Sequence, residues 1–351
     1  MIGFSIYLGE DLTAQDYNYL IAMRNAGFGA VFTSLHIPED YAQIVLQRLN
    51  VLTKWCRNLD LDVIADVSQV GLARLGVAIA DLTQVKALNL TGLRIDDGVD
   101  FSVVAKLSKE MPLALNASTL SNQDIASLRE HGADFDHLEA WHNYYPRPET
   151  GLDRVWLNEK NTWLHQNGLK TMAFVAGDHL KRGPIGAGLP TLEEQRDENP
   201  LAATLELQKL GCDRVFIGDP SLKPATITSF TNYLKHGAIT LHVTEAPEQL
   251  TAQKWHNRPD VARDVIRLVE GRRRQLFDVE SQSKVAPRPQ GTITCDNRRY
   301  LRYQGELQVT KTDLPADERV NVLGHVIAVD LPLLAQVDAN QAIIFEKVNQ
   351  A

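Results

Sequence analysis

Over about 235 residues, short β-rich runs alternate with amphipathic segments, and this alternation restricts the chain to a parallel α/β architecture. Eight runs read as strands: Gly3–Tyr7, Ala30–Thr33, Asp62–Ala65, Gly92–Ile95, Leu113–Leu115, His137–Ala140, Thr171–Val175 and Arg214–Ile217. Between them, segments such as Ala14–Asn25, Ala42–Asn58, Asn122–His131, Asp153–Gln166 and Leu201–Leu210 repeat apolar residues at three- and four-residue intervals. Gly27, Gly132, Gly168 and Gly211 fall just past the expected helix ends, where glycine adopts the left-handed capping conformation. Eight βα units predict a closed (β/α)8 TIM barrel over residues 1–236. An open doubly wound sheet would need a glycine-rich phosphate turn after its first strand, and YLGEDLT is not one.

At 351 residues the chain exceeds what one compact core usually holds, so one large and one small domain are expected. Residues 237–351 read as the small one, β-rich, with strands at Thr240–Val243, Thr292–Cys295, Tyr300–Tyr303, Leu307–Val309, Val326–Val329 and Ala342–Phe345. His256–Glu270 reads as helix or loop. A net charge of -8 disfavours a nucleic-acid partner, because phosphate-backbone recognition needs a dominant basic face. Cys56, Cys212 and Cys295 are odd in number and far apart, so neither a disulfide framework nor a zinc ribbon follows. No run has the length to span a bilayer, and Met1 leads straight into GFSIYLGE without a signal-like segment. The expectation is a cytoplasmic protein with no membrane partner, and a homo-oligomer is compatible with this sequence.

A TIM barrel carries its chemistry at the C-terminal ends of its strands. The residues expected there form a polar ring: Tyr7 and Glu10; Thr33, Ser34 and His36; Asp66 and Ser68; Arg94, Asp96 and Asp97; Asn116 and Ser118; Glu139, His142 and Asn143; Asp178 and Arg182; and Asp219. Several carboxylates on one mouth are costly unless they pair with cations, share protons or bind a metal. Glycoside hydrolysis uses such a set, one carboxylic acid protonating the leaving oxygen while a second carboxylate attacks or activates water. The bland reading of Asp66 or Asp219 is a helix cap. The densest stretch, LEAWHNYYPRPETGL from Leu138 to Leu152, adds Tyr144, Tyr145, Arg147 and Glu149 as sugar-binding candidates between two prolines that limit backbone freedom. Its bland reading is a rigid surface loop.

Other chemistries find less support. His36, His142 and His179 near the mouth lack the HxH or HExxH spacing of tethered metal ligands, so no metal or other cofactor is expected. No lysine closes a strand for Schiff-base chemistry, and no GxSxG elbow is present. The GPIGAG run after Lys181 and Arg182 reads as a lid or a phosphate-holding loop, or as flexible solvent loop. In the small domain, DNRRYLRYQGELQ offers Arg302 and Tyr303 for an anionic sugar, against a solvated edge strand as the bland alternative. Arg272, Arg273 and Arg274 read as an exposed connector with no assigned role.

GFSIYLGE, VIADVS, LRIDDG, LEAWHNYYPRPETGL, FVAGD, RGPIGAGLPTLEEQR, VFIGDP and DNRRYLRYQGELQ together resemble the MupG-type 6-phospho-N-acetylmuramidases, a bacterial family formerly called outer surface proteins. The resemblance spans nearly the full chain. It implies a TIM barrel followed by a cyclophilin-like β domain. It also implies an intracellular glycosidase that cleaves N-acetylmuramic acid 6-phosphate from N-acetylglucosamine, after phosphotransferase import, during peptidoglycan recycling. Our assignment on these residues takes Asp66, Asp96 and Glu139 as the catalytic carboxylates, with Glu139 or Asp96 as the acid and Asp66 as its partner. Asn116 and Asn143 are assigned to the N-acetyl group, Tyr144 and Tyr145 to sugar faces, and Arg302 with Arg147 or Arg182 to the phosphate of a phosphorylated disaccharide. The competing readings are a sugar-phosphate isomerase or aldolase, a non-enzymatic sugar-phosphate binder, and a prolyl-isomerase role for the small domain.

Overall fold

A computed structural model of the chain describes residues 1–35, 42–96, 98–283 and 285–348. His36 and Asp97, both expected on the rim, lie outside the described residues. Two compact units result, Met1–Ile227 and Thr228–Ala351.

In the first unit, eight parallel strands close a barrel in sequence order: β1 (Ile2–Ser5), β2 (Ala30–Ser34), β3 (Asp62–Val67), β4 (Gly92–Ile95), β5 (Leu113–Asn116), β6 (Leu138–Trp141), β7 (Lys170–Val175) and β8 (Arg214–Ile217). Each expected strand is present. Gly27, Gly132, Gly168 and Gly211 take the left-handed backbone at φ 105, 67, 86 and 85°, which ends each preceding helix without a Cβ clash.

Strand alternation turns every second side chain inward. The inward set includes Ala30, Phe32, Ile64, Ala114, Trp141, Met172, Phe174 and Phe216. Their rings pack edge-on or tilted, with centroids 5.1 Å apart for Phe32 and Phe174 and 5.0 Å for Trp141 and Phe216. Each fully buried aromatic contributes about 1.5–3 kcal/mol through loss of water contact. Gly3 makes the packing possible, since a Cβ there would lie 2.2 Å from the Phe216 ring.

Register then decides which polar residues reach the mouth. Asp66 on β3 pairs with Arg94 on β4, and Asn116 on β5 pairs with Trp141 on β6. Along β6 the inward parity is therefore Glu139, Trp141, Asn143. Trp141 forms the aromatic floor, Asn143 rises above it and Glu139 lies below it.

The second unit is a seven-stranded mixed sheet: β9 (Ala238–Thr244), β10 (Lys254–His256), β11 (Val265–Leu268), β12 (Thr292–Asp296), β13 (Leu307–Thr310), β14 (Val320–Val326) and β15 (Ala342–Lys347). Its spatial order is β10-β15-β9-β14-β12-β13-β11, with β15 and β9 parallel and the other pairs antiparallel.

Three expectations fail in this unit. His256–Glu270 contains strand β11 and the start of a short helix, Val269–Arg274. Tyr300–Tyr303 is part of a 3₁₀ turn, Arg298–Tyr303, because the Asn297 side chain accepts the Arg299 N–H at 3.0 Å and starts a turn where alternation alone suggested a strand. The expected Val326–Val329 strand instead ends at Val326, and a 3₁₀ segment containing Pro332 follows. Cys56, Cys212 and Cys295 are buried free thiols. Among the described residues no helix is long and apolar enough to cross a membrane.

Candidate active site

The mouth is organised by a buried arginine. Arg94 Nη1 donates to Asp66 Oδ1 at 2.5 Å and to Asp96 Oδ1 at 3.2 Å, and Nη2 donates to Asn143 Oδ1. Asn116 Nδ2 also donates to Asp96 Oδ1, at 3.2 Å. Burial opposes the charge on Arg94, yet Asp66 and Asp96 outweigh it and raise the guanidinium above its ordinary pKa. Five residues from β3, β4, β5 and the end of β6 thus form one network. The Arg94 side chain is 4% exposed, Asp66 11% and Asp96 35%, so Asp96 is the carboxylate more open to a ligand.

Beside this network stands a second group. The Arg182 guanidinium lies 3.7 Å from the Tyr7 ring centroid and donates to the Tyr144 hydroxyl at 2.6 Å. Burial, reinforced by the neighbouring phenol of Tyr144, pushes the Tyr7 hydroxyl well above its usual pKa; it donates to the Gly218 carbonyl at 2.5 Å. A cavity of about 1090 Å³ opens alongside, lined by Tyr7, Arg182, Arg48, Tyr19, His179 and Ser221 among others.

Sequence reasoning missed what holds these loops in place. Arg196, 7% exposed, pairs with Glu193 through Nε at 2.8 Å and Nη2 at 2.6 Å. Its Nη1 donates to the carbonyls of Tyr145 at 3.0 Å and Gly188 at 3.2 Å, and Nη2 reaches Arg147 O at 3.3 Å. The Glu193 carboxylate in turn accepts the N–H groups of Glu149 and Gly151 at 2.8 and 2.7 Å. The Arg196 bond and these backbone donors bring its pKa down to about 2. A Cβ on Gly151 would meet the Glu193 backbone at 2.6 Å, which explains that glycine. The i, i+3 spacing of Glu193 and Arg196 in LEEQR was the available signal.

Residues 2–232 match the family described as 6-phospho-N-acetylmuramidase, N-terminal, and residues 238–346 match 6-phospho-N-acetylmuramidase, C-terminal. The chain belongs to the 6-phospho-N-acetylmuramidase family. That family name supports a glycoside hydrolase role. A conserved protein of unknown function from Enterococcus faecalis has a crystal structure 40% identical to this chain, with a TM-score of 0.91 over 99% of this chain and 96% of its own. An uncharacterized B. cereus protein, 24% identical at a TM-score of 0.76 over 98% and 99% of the two chains, shares the fold. No curated protein matches.

In this 6-phospho-N-acetylmuramidase family member, several residues expected at the mouth lie elsewhere. Glu139 is four residues below Asn143 on the same inward face, about 13 Å down the strand at roughly 3.3 Å per residue. There it pairs with Arg214, the first residue of β8, at 2.7 Å, and accepts the Trp141 indole N–H at 2.8 Å. It shares a small cavity with Asp62, Thr91 and Gly92, at the strand-start end of the barrel, and is not carried into the mechanism proposed below.

His142 has the opposite parity. It is fully buried and bonds through Nε2 to Asn161, on the outer helix Arg154–Gln166, at 2.8 Å. It therefore packs behind the strand rather than against a substrate. Asp219, also buried, accepts the N–H groups of Gly177, Arg182 and Leu189 and so shapes the β7 loop. Asp178 accepts from Lys223 N and Thr226 Oγ1 at the start of the helix Pro224–His236.

Tyr145 is half-buried, while Arg147 and Glu149 are exposed; the backbones of all three serve the Arg196–Glu193 clamp. Lys181 Nζ donates to Gly177 O at 2.5 Å, so of the two cations proposed for the glycine-rich loop only Arg182 reaches the aromatic group. Arg302 and Tyr303 sit in the second unit, where Arg302 Nη2 donates to the Tyr303 hydroxyl at 2.9 Å and covers its ring. Among the described residues no group of three or more His, Cys, Asp or Glu side chains is arranged to hold a metal ion.

Proposed function

We propose that this chain hydrolyses the glycosidic bond between N-acetylmuramic acid 6-phosphate and N-acetylglucosamine in the cytoplasm, as a step of peptidoglycan recycling. Family membership supports the bond type. The observation that carries the mechanism is the meeting of Asp66 and Asp96 on one nitrogen of Arg94. The two bonds, 2.5 and 3.2 Å, add to 5.7 Å, which bounds the separation of the two carboxylate oxygens. Retaining glycosidases hold their carboxyls about 5–5.5 Å apart and inverting ones about 6.5–9.5 Å; the bound on the nearest oxygens suits the retaining spacing, which is the outcome we adopt.

In the retaining reaction we assign, the Asp66 carboxylate, oriented by its bond from Arg94, attacks the anomeric carbon while Asp96 gives its proton to the departing oxygen. N-acetylglucosamine leaves, and a glycosyl ester to Asp66 remains. Asp96 then takes a proton from water, whose oxygen displaces Asp66 and releases the sugar phosphate. Asn116 and Asn143 are placed in this scheme to bind the N-acetyl group. Tyr144 and Tyr145 provide ring faces, and Arg182 supplies a cation for the 6-phosphate. Arg147 remains a proposed phosphate contact. The cyclophilin-like reading of residues 237–351 is likewise a proposal, resting on the family resemblance.

The test is direct. Purified protein incubated with the 6-phosphorylated disaccharide should release N-acetylglucosamine, and the unphosphorylated disaccharide should be a poor substrate. Absence of free N-acetylglucosamine from the phosphorylated compound ends this reading.

A further inference from the structure

The second unit contains a cavity of about 560 Å³ between the short helix Val269–Arg274 and the turn at 258–260. Its volume is in the range of small-molecule sites, about 300–1,000 Å³. Two carboxylates line it, and both are already neutralised. Asp260 takes a two-pronged bond from Arg258 at 2.8 and 3.1 Å and a further one from Arg267 at 3.3 Å. Glu306 is held by Arg267 through Nε and Nη2, each at 2.6 Å.

On the helix side, Arg272 and Arg273 line the same cavity, are exposed, and have no ion pair among the described residues. The three lining arginines, Arg258, Arg272 and Arg273, together with Arg267 bonded to both acids, stand against two carboxylates, so this cluster carries a surplus of two positive charges. Leu268 and Pro259 give the cavity an apolar surface, and the Tyr303 ring stands 6.0 Å from the Arg272 guanidinium. Burial, with Glu306 next to it, pushes the nearby Asp296 carboxyl up to about 7, which reduces the negative charge behind this wall near neutral pH.

We propose that this cavity binds a small phosphomonoester, a sugar phosphate, through Arg272 and Arg273. A phosphomonoester carries between about -1.5 and -2 charges at pH 7, which matches the surplus. The planar guanidinium fork suits its oxygens, and the apolar surface suits the face of a sugar ring. Arginines that looked like an exposed connector in the sequence acquire a role from the strand and turn that face them. The proposal does not rest on the glycosidase reading.

Amide hydrogen exchange on the full chain tests it, with glucose 6-phosphate as probe and glucose as uncharged control. Glucose 6-phosphate should slow exchange across 265–274, and glucose should not. The exposed double change Arg272→Gln/Arg273→Gln should weaken that protection at least about tenfold in probe concentration, since each lost charge-assisted bond costs roughly a decade in affinity. Arg182→Gln, in the first unit, should leave it intact. Equal protection by glucose, no protection at 265–274, or protection unchanged in the double variant would each overturn the proposal. Failure of disaccharide hydrolysis would leave this exchange result standing.

Discussion

Asp66 and Arg94 face each other in register across β3 and β4, joined by a 2.5 Å bond at the inner rim of the barrel. The pairing solves the cost of gathering carboxylates at one mouth, because the same guanidinium also reaches Asp96. One guanidinium thus compensates the charge of both carboxylates in the proposed catalytic pair.

Asp66→Asn and Asp96→Asn should each lower kcat on the 6-phosphorylated disaccharide by at least about a hundredfold while leaving the far-UV circular dichroism unchanged, as loss of an acid–base group does. A variant with wild-type turnover removes that residue from the mechanism.

Glu139→Gln should behave differently. Its partner Arg214 sits at the opposite end of the barrel from the Arg94 network, so turnover should persist and Tm should fall. The pair is partly exposed, at 12% and 22%, so the loss should be about 1–3 kcal/mol, between surface and fully buried ion pairs. Chemical denaturation measures it, and a hundredfold loss of kcat would return Glu139 to the catalytic set.

Arg196→Met should release the Tyr145, Arg147 and Gly188 carbonyls and leave Glu193 with backbone donors but without its cation. Because Asp66 lies on a strand and the clamp fixes loops, KM should rise more than kcat falls. Steady-state kinetics separate the two, and exchange should quicken in 144–152. A fall in kcat alone would assign Arg196 some other role.

Burial, the dominant influence on His142, brings its pKa from 6.5 to about 4. Above pH 6.5 the ring is neutral in both folded and unfolded chains, so it adds no pH dependence there. Between 6.5 and about 4 the unfolded chain takes up a proton that the folded one refuses, and stability falls by an amount on the order of 3 kcal/mol that persists below pH 4. His142→Gln should be less acid-sensitive than wild type when unfolding free energies at pH 7 and 4.5 are compared. Identical pH dependence in the two proteins would contradict the assignment.

The barrel was legible because hydrophobic periodicity and the glycine caps at 27, 132, 168 and 211 are local signals. Part of the network was legible too, since Asp66, Arg94, Asp96, Asn116 and Asn143 all sit at or just past strand ends. Parity was harder to read. Ending β6 at Ala140 instead of Trp141 left Glu139 close to the expected mouth, whereas the register with β5 places it a layer beneath the tryptophan. Asp219 and Asp178 bore the right chemistry at the right place, but long-range bonds to loop amides and a hydroxyl occupy them, and no local pattern announces those partners. In the second unit, Asn297 turned an apparent strand into a 3₁₀ turn through one side-chain bond.

The Arg196–Glu193 clamp grips the LEAWHNYYPRPETGL segment by its carbonyls and amides and leaves the outward side chains of Arg147 and Glu149 uncommitted. Arg147 can be exchanged without disturbing the frame that carries Asn143 and Tyr144, and Glu149, at φ 72°, can be exchanged for residues that accept the left-handed backbone. Divergence in what such a pocket accepts can proceed there one substitution at a time, on a scaffold that stays put.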